Sequence, residues 1–137
     1  MLKNLLYNEF TIYNLIMLFM NFLEFKYKFY KLKRQYTKFL KIQGKYFSKN
    51  LEKRKFVGFF IKDDEDKILN KEVIDNFDKQ IQKSKLKLYK KENKVNKILF
   101  SLGIADLNYI SILYKYKISE KDSELIKKIL KNRIFIK

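Results

Sequence analysis

Along the first third of the chain, apolar residues recur in steps of three and four, at Leu15, Leu18, Phe22, Phe25, Phe29, Leu32, Tyr36 and Phe39. That spacing keeps one face of a 3.6-residue helix continuously apolar and predicts a long amphipathic helix over 15–41. Gly44 follows where a C-cap is wanted. Off the seam stand Lys31, Lys33, Arg34 and Lys38, a basic side to the same helix. Either the seam faces the core and the cations are simply solvated, or the seam packs on another subunit while the basic face meets RNA phosphates or an anionic membrane surface. So long a helix is hard to cover with the remaining hundred residues.

After Gly44 the pattern changes. Residues 55–61, Lys-Phe-Val-Gly-Phe-Phe-Ile, read as a strand, and residues 62–66, Lys-Asp-Asp-Glu-Asp, as an acidic turn. From Lys67 the chain reads as either a second strand or a helix carrying Ile68, Val73, Ile74, Phe77 and Ile81. Val95, Ile98, Leu99 and Leu102 then follow the i, i+3, i+4, i+7 rule and predict a short helix from Glu92 to Ser101, ended by Gly103. Asp106 is placed to cap a second helix, Leu107 to Lys117. Ser119, with Asp122 three residues on, opens a third helix with Leu125, Ile126, Ile129 and Leu130 inward. The expected fold is mainly α: a long N-terminal amphipathic helix, a short β-hairpin-like middle segment, and a C-terminal bundle of three short helices. Residues 1–85 would form an N-terminal extension and 86–137 a distinct RNA-binding region.

Composition narrows the chemistry. The 137 residues contain no His, Cys, Trp or Pro. Disulfides and thiolate or imidazole metal sites are thereby excluded, and the commonest catalytic nucleophiles and bases are missing, so an enzyme or a cofactor is not expected. The run Asp63 to Asp66 lacks the alternating ligands and central Gly of a calcium loop and reads as a solvated turn. The net charge is +17, of which residues 21–60 contribute +10 and 81–100 contribute +6, whereas 61–80 sum to −3. Only Arg34, Arg54 and Arg133 are guanidinium, so attraction to anions is mostly point-charge, which suits a phosphate backbone better than base edges. The abundance of Lys, Ile, Phe, Asn and Tyr points to a very AT-rich genome, that of an organelle or of a reduced parasite or endosymbiont, and part of the Lys excess is then codon drift. The longest uncharged run, Phe10 to Leu23, has 14 residues against roughly 20 needed for a bilayer span. Neither a presequence nor a secretory signal is legible at the N-terminus.

One segment resembles a known family. Val95 to Ser119, Val-Asn-Lys-Ile-Leu-Phe-Ser-Leu-Gly-Ile-Ala-Asp-Leu-Asn-Tyr-Ile-Ser-Ile-Leu-Tyr-Lys-Tyr-Lys-Ile-Ser, is similar to the helix-two-turn-helix region of small-subunit ribosomal protein thirteen. The Asn93-Lys94-Val95 lead-in, the Gly103-Ile104 turn, Ile110, Tyr114-Lys115 and Ile118-Ser119 fall at that family's spacing, and Leu86-Lys87-Leu88 stands where its opening strand would be. Ala105 replaces a turn Gly, Lys117 replaces a Gly near the end of the second helix, and the family's basic tail has no counterpart before Lys137. The resemblance covers about 50 residues. It implies a structural, non-catalytic place in the head of a small ribosomal subunit, and the AT-rich composition makes a mitochondrial ribosome, in the matrix, the expected one. The residues it implies for rRNA contact are Lys94, Lys97, Lys115 and Lys117, with the backbone of Gly103, Ile104 and Ala105. On that reading the partners are rRNA and neighbouring ribosomal proteins, the latter through the Leu15–Phe39 seam. Two other readings stand beside it: an accessory subunit of a mitochondrial inner-membrane respiratory complex, with residues 10–25 against lipid, and a free-standing helix-hairpin module that binds nucleic acid.

Overall fold

A computed structural model describes residues 2–104 and 118–135; for residues 2–11, 13 and 17–19 it describes the backbone alone. The described residues are helical, with no strand among them. Four helices follow in order: α1, Leu2–Phe60; α2, Asp64–Leu69; α3, Lys71–Ser101; and α4, Glu120–Lys131. The predicted helix Leu107 to Lys117 lies outside the described residues. Among the described residues no helix is long and apolar enough to cross a membrane.

The β-hairpin-like middle segment is not formed. α1 runs on past 41, through Gly44 and through 55–61, and ends only at Phe60. Gly44 has open space around it, and the φ of both Gly44 and Gly58 is ordinary, so each is a helical residue that merely lacks a side chain. A mid-helix Gly costs about 1 kcal/mol relative to Ala, less than the packing beyond it contributes. Partly buried positions continue at 42, 46, 49, 50, 53, 56 and 57, the same three-and-four rhythm as the seam before Gly44. In the supposed strand, Phe56 turns inward to lie 5.6 Å from the Phe77 ring of α3, whereas Phe59 and Phe60 face solvent. The run's β-propensity is overridden by a tertiary partner. Leu86-Lys87-Leu88, the supposed opening strand, is likewise inside α3, as is the position dividing 1–85 from 86–137.

The acidic residues make the bend between α1 and α3. The Asp63 carboxylate accepts from the Asp66 N–H at 2.9 Å and caps α2, and Asp64, Glu65 and Asp66 occupy its first turn, where the helix dipole favours negative charge. Asp66 also accepts from the Lys62 N–H at 2.9 Å, and Asn70 closes α2 by donating its side-chain amide to the Asp66 carbonyl. This run is a capping device.

The chain forms two compact units, Met1–Lys33 with Lys97–Asn132, and Arg34–Asn96 with Arg133–Lys137. In the first, Phe25, Phe29 and Leu32 of α1 are buried along with Leu99, Leu102, Ile104, Ile126 and Ile129. α3 ends there in a Schellman turn: the Ile104 N–H donates to the Leu99 carbonyl at 2.9 Å and the Gly103 N–H to the Phe100 carbonyl at 3.0 Å, with Gly103 at φ 79°. Leu99 and Ile104, the apolar pair that accompanies such a turn, are both fully buried. α4 opens as the sequence predicts, the Ser119 hydroxyl accepting from the Asp122 N–H at 3.2 Å, with Ile126 and Ile129 inward.

In the second unit α1 and α3 run antiparallel. Lys91 donates to Gln35, Lys53 pairs with Asp78, and Phe56 meets Phe77, so rising numbers on one helix meet falling numbers on the other. Tyr36, Phe39, Leu88 and Val95 are its buried apolar residues. Glu92 is buried with them, and its carboxylate accepts the backbone N–H groups of Ile134 and Phe135 at 3.1 to 3.2 Å, fastening the segment after α4. Of the seam, Phe25, Phe29, Leu32, Tyr36 and Phe39 are buried within the chain, whereas Leu15 is exposed.

Two predictions follow from the local geometry. Gly44→Ala raises stability in urea unfolding by about 0.5 to 1 kcal/mol, whereas Gly103→Ala lowers it by about 1 to 2 kcal/mol, because only Gly103 sits where L side chains are strained. Glu92→Ala removes the acceptor for two backbone amides at a cost of about 1 to 3 kcal/mol, and hydrogen exchange at Ile134 and Phe135 accelerates more than exchange elsewhere.

Candidate nucleic-acid interface

Residues 34–48 of α1 contain no acid, and neither do residues 79–97 of α3 apart from Glu92. The helical repeat decides where the cations in these stretches go. Arg34, Lys38, Lys41 and Lys45 are spaced four, three and four apart and lie exposed on one face of α1. Lys83, Lys87, Lys91 and Lys94 keep a similar spacing on α3, exposed except for Lys91. Antiparallel pairing then brings Lys38 of the first row near Lys91 of the second.

α1 and α3 meet at Lys91. Its ammonium donates to the Gln35 side-chain oxygen at 3.0 Å, which holds it against α1. Burial, then the neighbouring charges of Lys94 and Lys38, hold its pKa below the ordinary value of 10.5. Among the described residues no carboxylate forms an ion pair with Lys38, Lys91 or Lys94. Glu92, the adjacent acid, is turned inward onto backbone amides. Three ammonium groups from two helices thus share a surface and, among the described residues, form no ion pair with a carboxylate. Such a cluster is electrostatically unfavourable until an anion arrives, and a phosphate oxygen is a matching one.

The other residues singled out from sequence are placed differently. Arg34 is exposed one turn before Lys38. Lys31 is exposed in the first unit, its ammonium 4.5 Å above the Tyr27 ring. Lys33 is already engaged, 3.0 Å from Asp122 and 5.0 Å above the Phe29 ring. Lys97 is exposed in the first unit. The Gly103 and Ile104 amides, expected at a phosphate, instead donate within the C-cap of α3, and the Ile104 side chain is core. Ala105, Lys115 and Lys117 lie outside the described residues.

Lys91, the centre of the cluster, was not among the residues picked out from sequence, nor were Lys83 and Lys87. The signal was the four-four-three spacing of Lys83, Lys87, Lys91 and Lys94, hidden by reading 86–88 as a strand. No family model, curated protein or solved structure matches this chain.

Lys91→Met tests the cluster. At neutral pH the folded state holds the Lys91 proton less tightly than the unfolded chain, and the resulting penalty fades only as pH rises through the lowered pKa toward 10.5. Lys91→Met is expected to leave stability at pH 7 unchanged or raise it by up to ~0.5 kcal/mol, while polyanion affinity, measured with heparin or an RNA oligonucleotide, falls.

Proposed function

We propose that this chain is a non-catalytic RNA-binding protein that holds the phosphate backbone by side-chain charge, as a structural component of the small subunit of a mitochondrial ribosome. The observation that carries the RNA-binding part is the convergence of Lys38, Lys91 and Lys94 on the paired helices, none of them in an ion pair among the described residues, with Arg34 beside it. Codon drift can inflate the number of lysines but does not put the neighbouring carboxylate to work inside the fold, as Glu92 is here. The cations that remain are lysines in the main, so recognition is by charge and shape, with little base discrimination.

The ribosomal assignment draws on the likeness of residues 95–119 to small-subunit ribosomal protein thirteen. Two junctions support it. Gly103 turns the chain at positive φ immediately after α3, and Ser119 caps α4. Two features count the other way: the helix before the turn is 31 residues long where the family has a short one, and the lead-in is helical. The mitochondrial location rests on the AT-driven composition.

RNA titrations at several salt concentrations test the reading. The wild-type affinity should fall steeply with salt, and Lys38→Gln/Lys91→Gln/Lys94→Gln should flatten the slope of log K against log salt by roughly 2 to 3, since each neutralised phosphate contributes about 0.7 to 0.9. An unchanged slope removes this surface from the interface. Co-sedimentation of the chain with small subunits tests the ribosomal part separately.

A further inference from the structure

α1 carries a second apolar stripe, on the side away from the buried seam. Ile12, Ile16, Met20, Leu23, Tyr27 and Tyr30 step by four and three within an arc of roughly 80°, about half a turn around the helix from Phe25, Phe29 and Leu32. Every one of the six is exposed, from 48% at Leu23 to 62% at Tyr30. Asn14 and Asn21 lie on the seam's own side and Glu24 between seam and stripe, all exposed, while on the opposite flank Leu15, 60% exposed, widens the apolar surface. The segment therefore presents exposed apolar side chains to the outside.

The order along the stripe is also informative. The aliphatic residues come first, within the uncharged run Phe10 to Leu23, followed by two tyrosines, and Lys26 and Lys31 flank those tyrosines on either side. Both lysine ammoniums lie over aromatic rings, at 4.7 Å from Phe22 and 4.5 Å from Tyr27. Aliphatic, then tyrosine, then ammonium is the sequence of environments met between acyl chains and anionic headgroups. The uncharged run is about 21 Å long as a helix, short of the roughly 30 Å of a hydrocarbon core, so it fits shallow insertion and not a span. A second copy of the chain is a poorer occupant, because it would set a +17 molecule against another without a counter-charge.

We infer that residues 12–31 of α1 dock this protein on an anionic lipid surface, with Ile12, Ile16, Met20 and Leu23 seated among acyl chains and Lys26 and Lys31 at headgroups. This surface is separate from the Lys38–Lys91–Lys94 cluster, and the inference does not depend on RNA binding.

Because a chain this basic binds anionic vesicles by charge alone, the test has to read insertion. The chain has no Trp, so a single introduced one reports its own surroundings. On phosphatidylcholine vesicles containing phosphatidylglycerol, Leu23→Trp emission is expected to shift to shorter wavelength and to stay shifted when salt is raised, while Asn21→Trp remains water-like. Ile16→Ser/Met20→Ser should lower vesicle partitioning on the order of tenfold or more with helix content unchanged by circular dichroism, and Ile12→Ser/Leu23→Ser repeats the test should the first pair disturb folding. Equal flotation of wild type and a folded variant, or water-like emission from Leu23→Trp, overturns the inference in favour of charge-only adsorption. A Leu23→Trp shift that appears without vesicles as protein concentration rises, with a dimer in sedimentation, overturns it in favour of self-association.

Discussion

Thirty-two cations against fifteen acids have to be kept apart while two long helices are brought together, and the rest of the structure follows from that constraint. The solution is a narrow seam. Leu32, Leu88 and Leu99 are fully buried, and the lysines between them are turned outward by the helical repeat. Acids such as Asp78 and Asp122 pair with lysines, while others relieve the backbone. Asp63 and Asp66 hold the bend between α1 and α3, and Glu92 fastens the segment after α4. Few remain to neutralise the lysines of α3, and the excess charge gathers at the surface around Lys91.

That distribution gives the molecule two unlike surfaces. One is the cationic convergence on the paired helices, unfavourable by itself and relieved by a polyanion. The other is the outward apolar stripe at the start of α1, which nothing in the described chain covers. Both arise from one helix having more faces than the fold can bury. α1 spends the Phe25 to Phe39 face on its own core and keeps the remainder for other molecules.

Much of this was legible in residue spacing, and the errors have a common origin. The three-and-four steps from Phe25 to Phe39 identified the buried face, and Ser119 with Asp122 identified the start of α4, because each depends on neighbours within a turn or two. The extent of α1 was not legible. Gly44 and Gly58 are local stop signals, and Phe59-Phe60 a local strand signal, but packing on α3 outweighs all three. Reading 86–88 as a strand broke α3 in two and concealed the lysine row that ends at Lys94.

The sequence by itself determined that the chain is mainly helical, strongly basic and without the side chains of ordinary catalysis, since these follow from periodicity and composition. Only the tertiary structure decided which lysines meet and which amides are free. Lys38 and Lys91 are more than fifty residues apart and become neighbours only through antiparallel pairing. Gly103 and Ile104 looked open to a phosphate until their N–H groups were seen closing α3. A helix end must satisfy its own carbonyls before it can offer anything to a ligand, and which amides it uses to do so is settled by how the chain turns and packs.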